Sequence, residues 1–280
     1  MNEQLPRELT DSEISFLEEL ELYNKVLCFI ADISICQGGI DADGRGVRGM
    51  KIFTRQTVIA FSLSRIFPKP QKTTSYDTEL WDVLSIASIT RNLVEGYLAL
   101  HYFGLEKISD DEAELRFLIL QLHRNIEWFN IRKIEEGDEE YKEFFEGIIN
   151  QKKQIKNHPY LNNLSVSNRN KALKFSEMYR TKSDFENSLP ICNDLIKIYR
   201  LLSNLVHPLP MSIERIDNEN GRGIGSEMDI QYCIQCILLA RRFLAATVVD
   251  IVDFFSDSFV EFSERLEEIR YLQFKGFEIE

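Results

Sequence analysis

The stretch Tyr199-Arg200-Leu201-Leu202-Ser203-Asn204-Leu205-Val206-His207-Pro208 decides the fold. Leu201, Leu202, Leu205 and Val206 recur at helical spacing as one apolar face, and Pro208 stops the helix because it cannot continue the hydrogen-bond ladder. Arg200 and His207 are two turns apart and, at about 100° per residue, only roughly 20° apart around the axis. Ser203 and Asn204 fill the gap on the same stripe. A polar stripe beside an apolar one is also the ordinary solvated side of a surface helix. The identity of these groups adds a chemical reading, because a fixed cation near an imidazole suits phosphoryl chemistry: the cation holds the phosphate and the imidazole moves a proton.

The same periodicity runs outward through the chain. Thr10-Asp-Ser-Glu13 reads as a capping box opening a helix of about 25 residues that Gly38-Gly39 closes. A glycine-rich loop to Gly49 and a helix from about Lys51 to Phe67 follow, the latter stopped by Pro68 and Pro70. Asp77 is placed to cap a third long helix to about Phe103, and Ser109-Asp-Asp-Glu112 opens a fourth to about Lys133. A charged helix, roughly Glu139 to Lys156, ends before His158-Pro159. Residues 158–188 are rich in Asn and Ser and carry at most one helix, around Asn168 to Met178. Helical pattern resumes from about Pro190 to Val206. After a loop it opens again near Glu227 and runs, with a break around Ser256, to about Tyr271. No segment alternates convincingly with period two. The expectation is an all-α, single-domain bundle of seven or eight helices over residues 1–280, with a core of about 11–135 and 189–271 and an irregular excursion at 158–188.

The 280 residues are 44% apolar and 28% charged, enough to bury a real core. No run approaches 18 uncharged apolar residues, and Met-Asn-Glu-Gln-Leu-Pro-Arg-Glu has neither a basic start nor an apolar leader, so a cytoplasmic protein without a membrane span is expected. Five scattered cysteines give no disulfide framework, and Cys233-Ile-Gln-Cys236 lies inside a helical pattern where buried thiols are the simpler reading than a redox pair. No two histidines sit at helical metal-ligand spacing, and no phosphate loop, dinucleotide fingerprint or nucleophile elbow appears, so neither metal nor cofactor is expected.

A net charge of −12 argues against broad attraction to nucleic acid. The charge is uneven, however: Arg45, Arg48, Lys51, Arg55, Arg65, Lys69 and Lys72 fall in a stretch free of acidic residues. Arg48, Lys51 and Arg55 are spaced three and four apart and form a candidate anion- or RNA-binding row; a face that meets an acidic part of the same protein is the alternative. Asp43-Gly-Arg-Gly-Val and Asn220-Gly-Arg-Gly-Ile each place an arginine among glycines before a helix, where backbone N–H groups can hold an anion and where flexible connections also favour glycine.

The third helix carries Ser85, Ser88, Asn92 and Glu95 at spacings of three, four and three, with Arg91 four residues before Glu95. Short polar side chains suit a helix buried on most sides, its polar seam facing another polar seam. The stripe at Arg200, Ser203, Asn204 and His207 is the natural partner. His207 then acts as a general acid/base, or it is a structural histidine bonded to Glu95 or a carbonyl in a network that locks the bundle in register.

An Arg91-Asn92-x-x-Glu95 helix followed far downstream by Tyr199, Leu202, Ser203, His207 and Pro208 resembles a bacterial family of unassigned function that is compared with the HEPN superfamily of helical bundles. The resemblance implies a HEPN-like core and a metal-independent endoribonuclease of bacterial stress or phage defence, with an Arg-x(4–6)-His motif at a dimer interface. It assigns the catalytic roles to Arg200, His207, Ser203, Asn204 and Glu95, supported by Arg91, Asn92 and Tyr199. Leu201 departs from the polar residue common after that arginine, and Arg116 and His123 repeat the same separation elsewhere. The alternative is a non-catalytic helical interaction or sensor module of a defence or toxin–antitoxin operon. The implied partners are RNA, a second copy of the chain, and an antitoxin or other operon partner. Phe254, Phe255, Phe259 and Phe262, rimmed by Asp253, Asp257, Glu261 and Glu264, are the candidate dimer surface, unless they pack inside one subunit.

Overall fold

The computed structural model describes residues 8–68, 80–132 and 139–276. Every regular element in them is helical: α1 Asp11–Cys36, α2 Gly44–Ile66, α3 Val83–Leu100, α4 Asp110–Arg132, α5 Glu139–Lys156, α6 Val166–Leu173, α7 Lys182–Ser188, α8 Leu195–Val206, α9 Pro210–Glu214, α10 Glu227–Phe254 and α11 Ser263–Phe274, with short 3₁₀ turns between some of them. The all-α expectation holds. The expected count of seven or eight does not, because eleven α-helices are present among the described residues. The excess lies mainly in short pieces. α7 has seven residues and α9 has five, too few for an apolar face to repeat, so local chemistry defines them instead. Thr181 and Asp184 bond each other's backbone N–H groups at the start of α7, and Pro210 opens α9 at a position where no amide donor is needed.

The chain forms two compact units, one from residues 1–105 with 189–280 and one from residues 106–188. In the first, α10 is the axis, packed by α1, α2, α3 and α11, while α8 packs on α3. By length and composition α10 is apolar enough to cross a membrane, yet it is mostly buried within the unit, as the central helix of a globular core is. One of its two buried arginines is put to structural use. Arg241, fully buried, pairs with Glu19 of α1 at 3.3 Å and donates to the carbonyls of Leu272 and, at 2.5 Å, Lys275. It thereby satisfies the open C-terminal carbonyls of α11. The candidate dimer phenylalanines are largely in this core: Phe255, Phe259 and Phe262 are buried, Phe262 edge-on to Phe29, and Phe254 alone of the four is exposed.

Two boundaries move from their expected places. Asp82, not Asp77, caps α3 through its bond to the Ser85 amide; Asp77, Lys69, Pro70, Lys72 and Lys133 lie outside the described residues. The expected glycine loop before Lys51 is helical from Gly44, because Asp43 caps it at the Gly46 amide. Gly46 and Gly49 are buried. A Cβ on Gly104, in the π-helical turn His101–Leu105 that ends α3, would sit 2.7 Å from the Gly49 Cα. Glycine is therefore required by backbone-to-backbone contact rather than by a turn.

The second unit is held by a buried polar network. Glu112 accepts from Arg116 Nε at 3.0 Å, from the Tyr179 hydroxyl at 2.7 Å and from the Tyr160 hydroxyl, while Glu106 bridges Arg116 at 2.7 Å and Arg180 at 2.5 Å. Burial raises the Glu112 carboxyl, but these donors outweigh it and leave its pKa lowered. The Arg116 of the second Arg–His spacing is thus committed to carboxylates inside the core.

Gly104→Ala is expected to destabilise the protein by about 1–3 kcal/mol, since backbone must move to admit the methyl group. Gly147→Ala, in open space on α5, is expected to cost nothing or to gain up to about 1 kcal/mol. Urea or thermal unfolding of both variants checks the pair.

Candidate functional site

The polar seam of α3 does face α8, but through Arg91 rather than through Arg200. Arg91 Nε donates to Glu95 Oε1 at 2.9 Å along the helix, one Nη donates to the Tyr199 hydroxyl, and the other lies 3.3 Å from His207 Nε2. The guanidinium also stacks over the Tyr199 ring at 4.5 Å. Arginine has donors only, so His207 Nε2 is the acceptor in this contact. Tyr199 in turn bonds Glu95. Its hydroxyl is raised by burial and by the neighbouring Glu95 carboxylate, against the opposing pull of Arg91. Burial pulls the Arg91 guanidinium down, and its bonds and charges to Glu95 and Tyr199 more than restore it, so it stays cationic.

The sequence explains this arrangement. Arg91 and Glu95 are a helical i, i+4 pair; Tyr199 lies just over one turn into α8, and His207, eight residues on, caps its C-terminal end. His207 is the exposed C-cap residue, extended because Pro208 follows it. Its carbonyl accepts from the Ser212 hydroxyl of α9 at 2.6 Å.

The remaining site candidates stand apart. The Arg200 side chain is exposed and takes no part in the Arg91 cluster. Asn204 turns its amide back to the Arg200 carbonyl at 2.8 Å, and Ser203 contributes its own carbonyl to the His207 amide. Asn92 is exposed and offers its carbonyl to Gln56 Nε2 at 3.5 Å. In the basic row Lys51 and Arg55 are exposed, whereas Arg48 is half-buried and reaches the Phe103 carbonyl at 3.5 Å. Among the described residues no group of three or more His, Cys, Asp or Glu side chains converges as metal ligands would. Cys233 and Cys236 are buried thiols, raised mainly by burial, Cys236 to about 12.

Residues 75–224, more than half of the chain, match a family of unknown function, DUF5677. The chain belongs to that family. The DUF5677 match takes in α3, α8 and therefore Arg91, Glu95, Tyr199 and His207 together. No curated protein matches the chain, and no solved structure does.

A buried ion pair and a part-buried hydrogen bond were not singled out in the sequence. Arg215 and Asp229 pair where the loop after α9 meets the start of α10, and Ser226-x-x-Asp229 is the capping signal that points to them. The Tyr97 hydroxyl donates to Asp250 Oδ2 at 2.9 Å between α3 and α10, a tertiary contact without a sequence signature. Burial pushes the Asp250 carboxyl up to about 6, partly offset by that hydrogen bond. A raised carboxyl contributes stability that is present below its ordinary value of 3.8 and is lost as pH rises through about 6. Asp250→Asn is therefore expected to match the wild type at pH 4 and to be more stable at pH 7, by something on the order of 2 kcal/mol. Melting temperatures of both proteins across that range test it.

Proposed function

We propose that this chain is a non-catalytic helical interaction or sensor module. The observation that carries the reading is the state of Arg91, the cation that reaches His207. It is neutralised by Glu95, shared with Tyr199 and bonded to the imidazole lone pair. A cation arranged to hold a phosphate needs open donors, and a general base needs an open lone pair. Here both are spent on joining α3 to α8. Arg200, the cation of the Arg–His spacing, stands outside this network. A defence or toxin–antitoxin operon and association with an antitoxin or a second copy of the chain accompany this reading as carried over from the HEPN resemblance, and the cytoplasmic setting as carried over from the composition of the sequence.

One observation favours a second reading, a HEPN-like metal-independent endoribonuclease. His207 is exposed at the end of α8, with Arg91 and the exposed Arg200 on nearby turns, and Lys51 and Arg55 are exposed on α2. An incoming phosphate would have to displace the His207 contact from Arg91, leaving Arg91 or Arg200 to hold it while the imidazole takes the ribose 2′-hydroxyl proton.

The two readings divide on RNA incubated with the purified protein in EDTA. The interaction-module reading predicts intact RNA, with the wild type indistinguishable from His207→Ala. Cleavage by the wild type that His207→Ala abolishes would overturn it in favour of the ribonuclease.

A further inference from the structure

α2 is buried along one side and uncovered along the other. Phe53, Gln56, Ala60 and Leu63 are buried where the helix packs against α1, α3 and α10. The uncovered side runs Val47, Lys51, Thr54, Val58, Phe61 and Arg65, all exposed, at spacings of four, three, four, three and four. From Val47 to Arg65 is about five full turns, so the stripe stays on one side of the axis for about 27 Å.

Three of the six residues in the stripe are apolar: Val58 is 61% exposed, Val47 42% and Phe61 38%. Single apolar residues at a surface need no explanation, but three along one side of one helix form a row. Thr54 and Ser62, on the same side, turn their hydroxyls back to the carbonyls of Met50 and Val58 at 2.9 and 3.0 Å, and Thr54 also accepts from Gln37 at 2.9 Å. The charged members are cations alone. Gly44 to Tyr76 holds no acidic residue, and Lys51, Arg55 and Arg65 are exposed on α2. The ion pairs among the described residues draw on none of the three. Asp43, the acidic residue just before α2, is its cap at the Gly46 amide.

Apolar side chains interleaved with cations at this spacing suit the contact of one helix with another. The complement is a helix with its own apolar stripe flanked by carboxylates. A phosphate backbone answers the cations but leaves Val47, Val58 and Phe61 in water, and the net charge of −12 opposes a long polyanion or an anionic bilayer. A second α2 sets cations against cations and supplies no carboxylate.

We propose that the outer side of α2 is a docking surface for an acidic amphipathic helix of a partner protein. The partner's apolar residues cover Val47, Val58 and Phe61, and its carboxylates pair with Lys51, Arg55 and Arg65. The assignment names the partner in the interaction-module reading and rests on that reading; it uses neither Arg91 nor His207.

The probe is a fluorescein-labelled synthetic helical peptide of about five turns, with leucine along one side at alternating three- and four-residue spacing and glutamate beside it. Its anisotropy with the full chain is expected to rise saturably, less steeply as salt is raised. Lys51→Glu with Arg55→Glu is expected to weaken binding at least tenfold, and Val58→Asp about tenfold, all at exposed positions that leave the core intact. The same peptide with lysine for glutamate is expected not to bind. Absence of saturable binding overturns the proposal, as does a midpoint unchanged in either variant or equal binding of the lysine peptide. Tighter binding of an oligouridylate RNA or of phosphatidylserine vesicles overturns the choice of a protein helix. Self-association of the wild type in sedimentation that Lys51→Glu with Arg55→Glu removes overturns it in favour of a second copy. Failure of the peptide to bind while RNA stays intact in EDTA removes this assignment alone, so it and the interaction-module reading fail separately.

Discussion

The contact between α3 and α8 depends on a single guanidinium. Arg91 has five N–H donors in a rigid plane, and in this molecule they are distributed among a carboxylate on its own helix, a phenol and an imidazole on the next. A lysine offers one point charge and no fork, and cannot meet three acceptors in three directions. The charge is tolerable at a partly buried position because Glu95 is one turn away on the same helix, so the pair is formed before any tertiary packing is required. Tyr199 then closes the circuit by accepting from the cation and donating to the anion. This polar contact is directional where the surrounding leucines and isoleucines are not, and it sets which faces of α3 and α8 meet.

The same logic recurs wherever charge is buried. Arg241 spends its donors on a carboxylate of α1 and on the terminal carbonyls of α11. Arg116 sits between Glu106 and Glu112, with two tyrosines completing the coordination of Glu112. Such groups add little net stability compared with apolar residues of equal size, because desolvation offsets most of the attraction. Removing one partner of any of them, however, leaves an uncompensated buried charge. The apolar core around α10 supplies the driving force, and the arginines fix the register in which it packs.

Much of the fold was legible in the sequence, and the reasons are local. Thr10 with Glu13, Asp110–Arg132 with its acidic first turn, and Val206 before His207-Pro208 are helices whose ends and faces are written in consecutive residues. What was not legible depends on partners distant in the chain. Gly46 and Gly49 read as loop residues because glycine usually marks a turn, whereas Gly49 is there so that the backbone at Gly104 can approach. The short helices α7 and α9 lack the two turns over which an apolar face repeats. At the candidate site, spacing alone placed Arg200 and His207 on one stripe, whereas His207 is the extended C-cap just past the end of α8. Spacing could not reveal that α8 faces α3 through Tyr199 and His207 and so brings the imidazole to Arg91, a residue 116 positions away in sequence.

The central claim is that the Arg91 cluster is spent on structure, and a double-mutant cycle between Arg91 and Tyr199 tests it most directly. The cycle compares unfolding free energies of the wild type, Arg91→Met, Tyr199→Phe and the double variant, which cancels whatever each side chain does independently. The account predicts that each single change destabilises the protein and that the two changes together cost less than their sum, with a coupling of about 1–3 kcal/mol, as befits a hydrogen bond to a charged group. Additivity within about 0.5 kcal/mol would contradict it, since the two side chains would then contribute nothing through each other and the cluster would be free for chemistry.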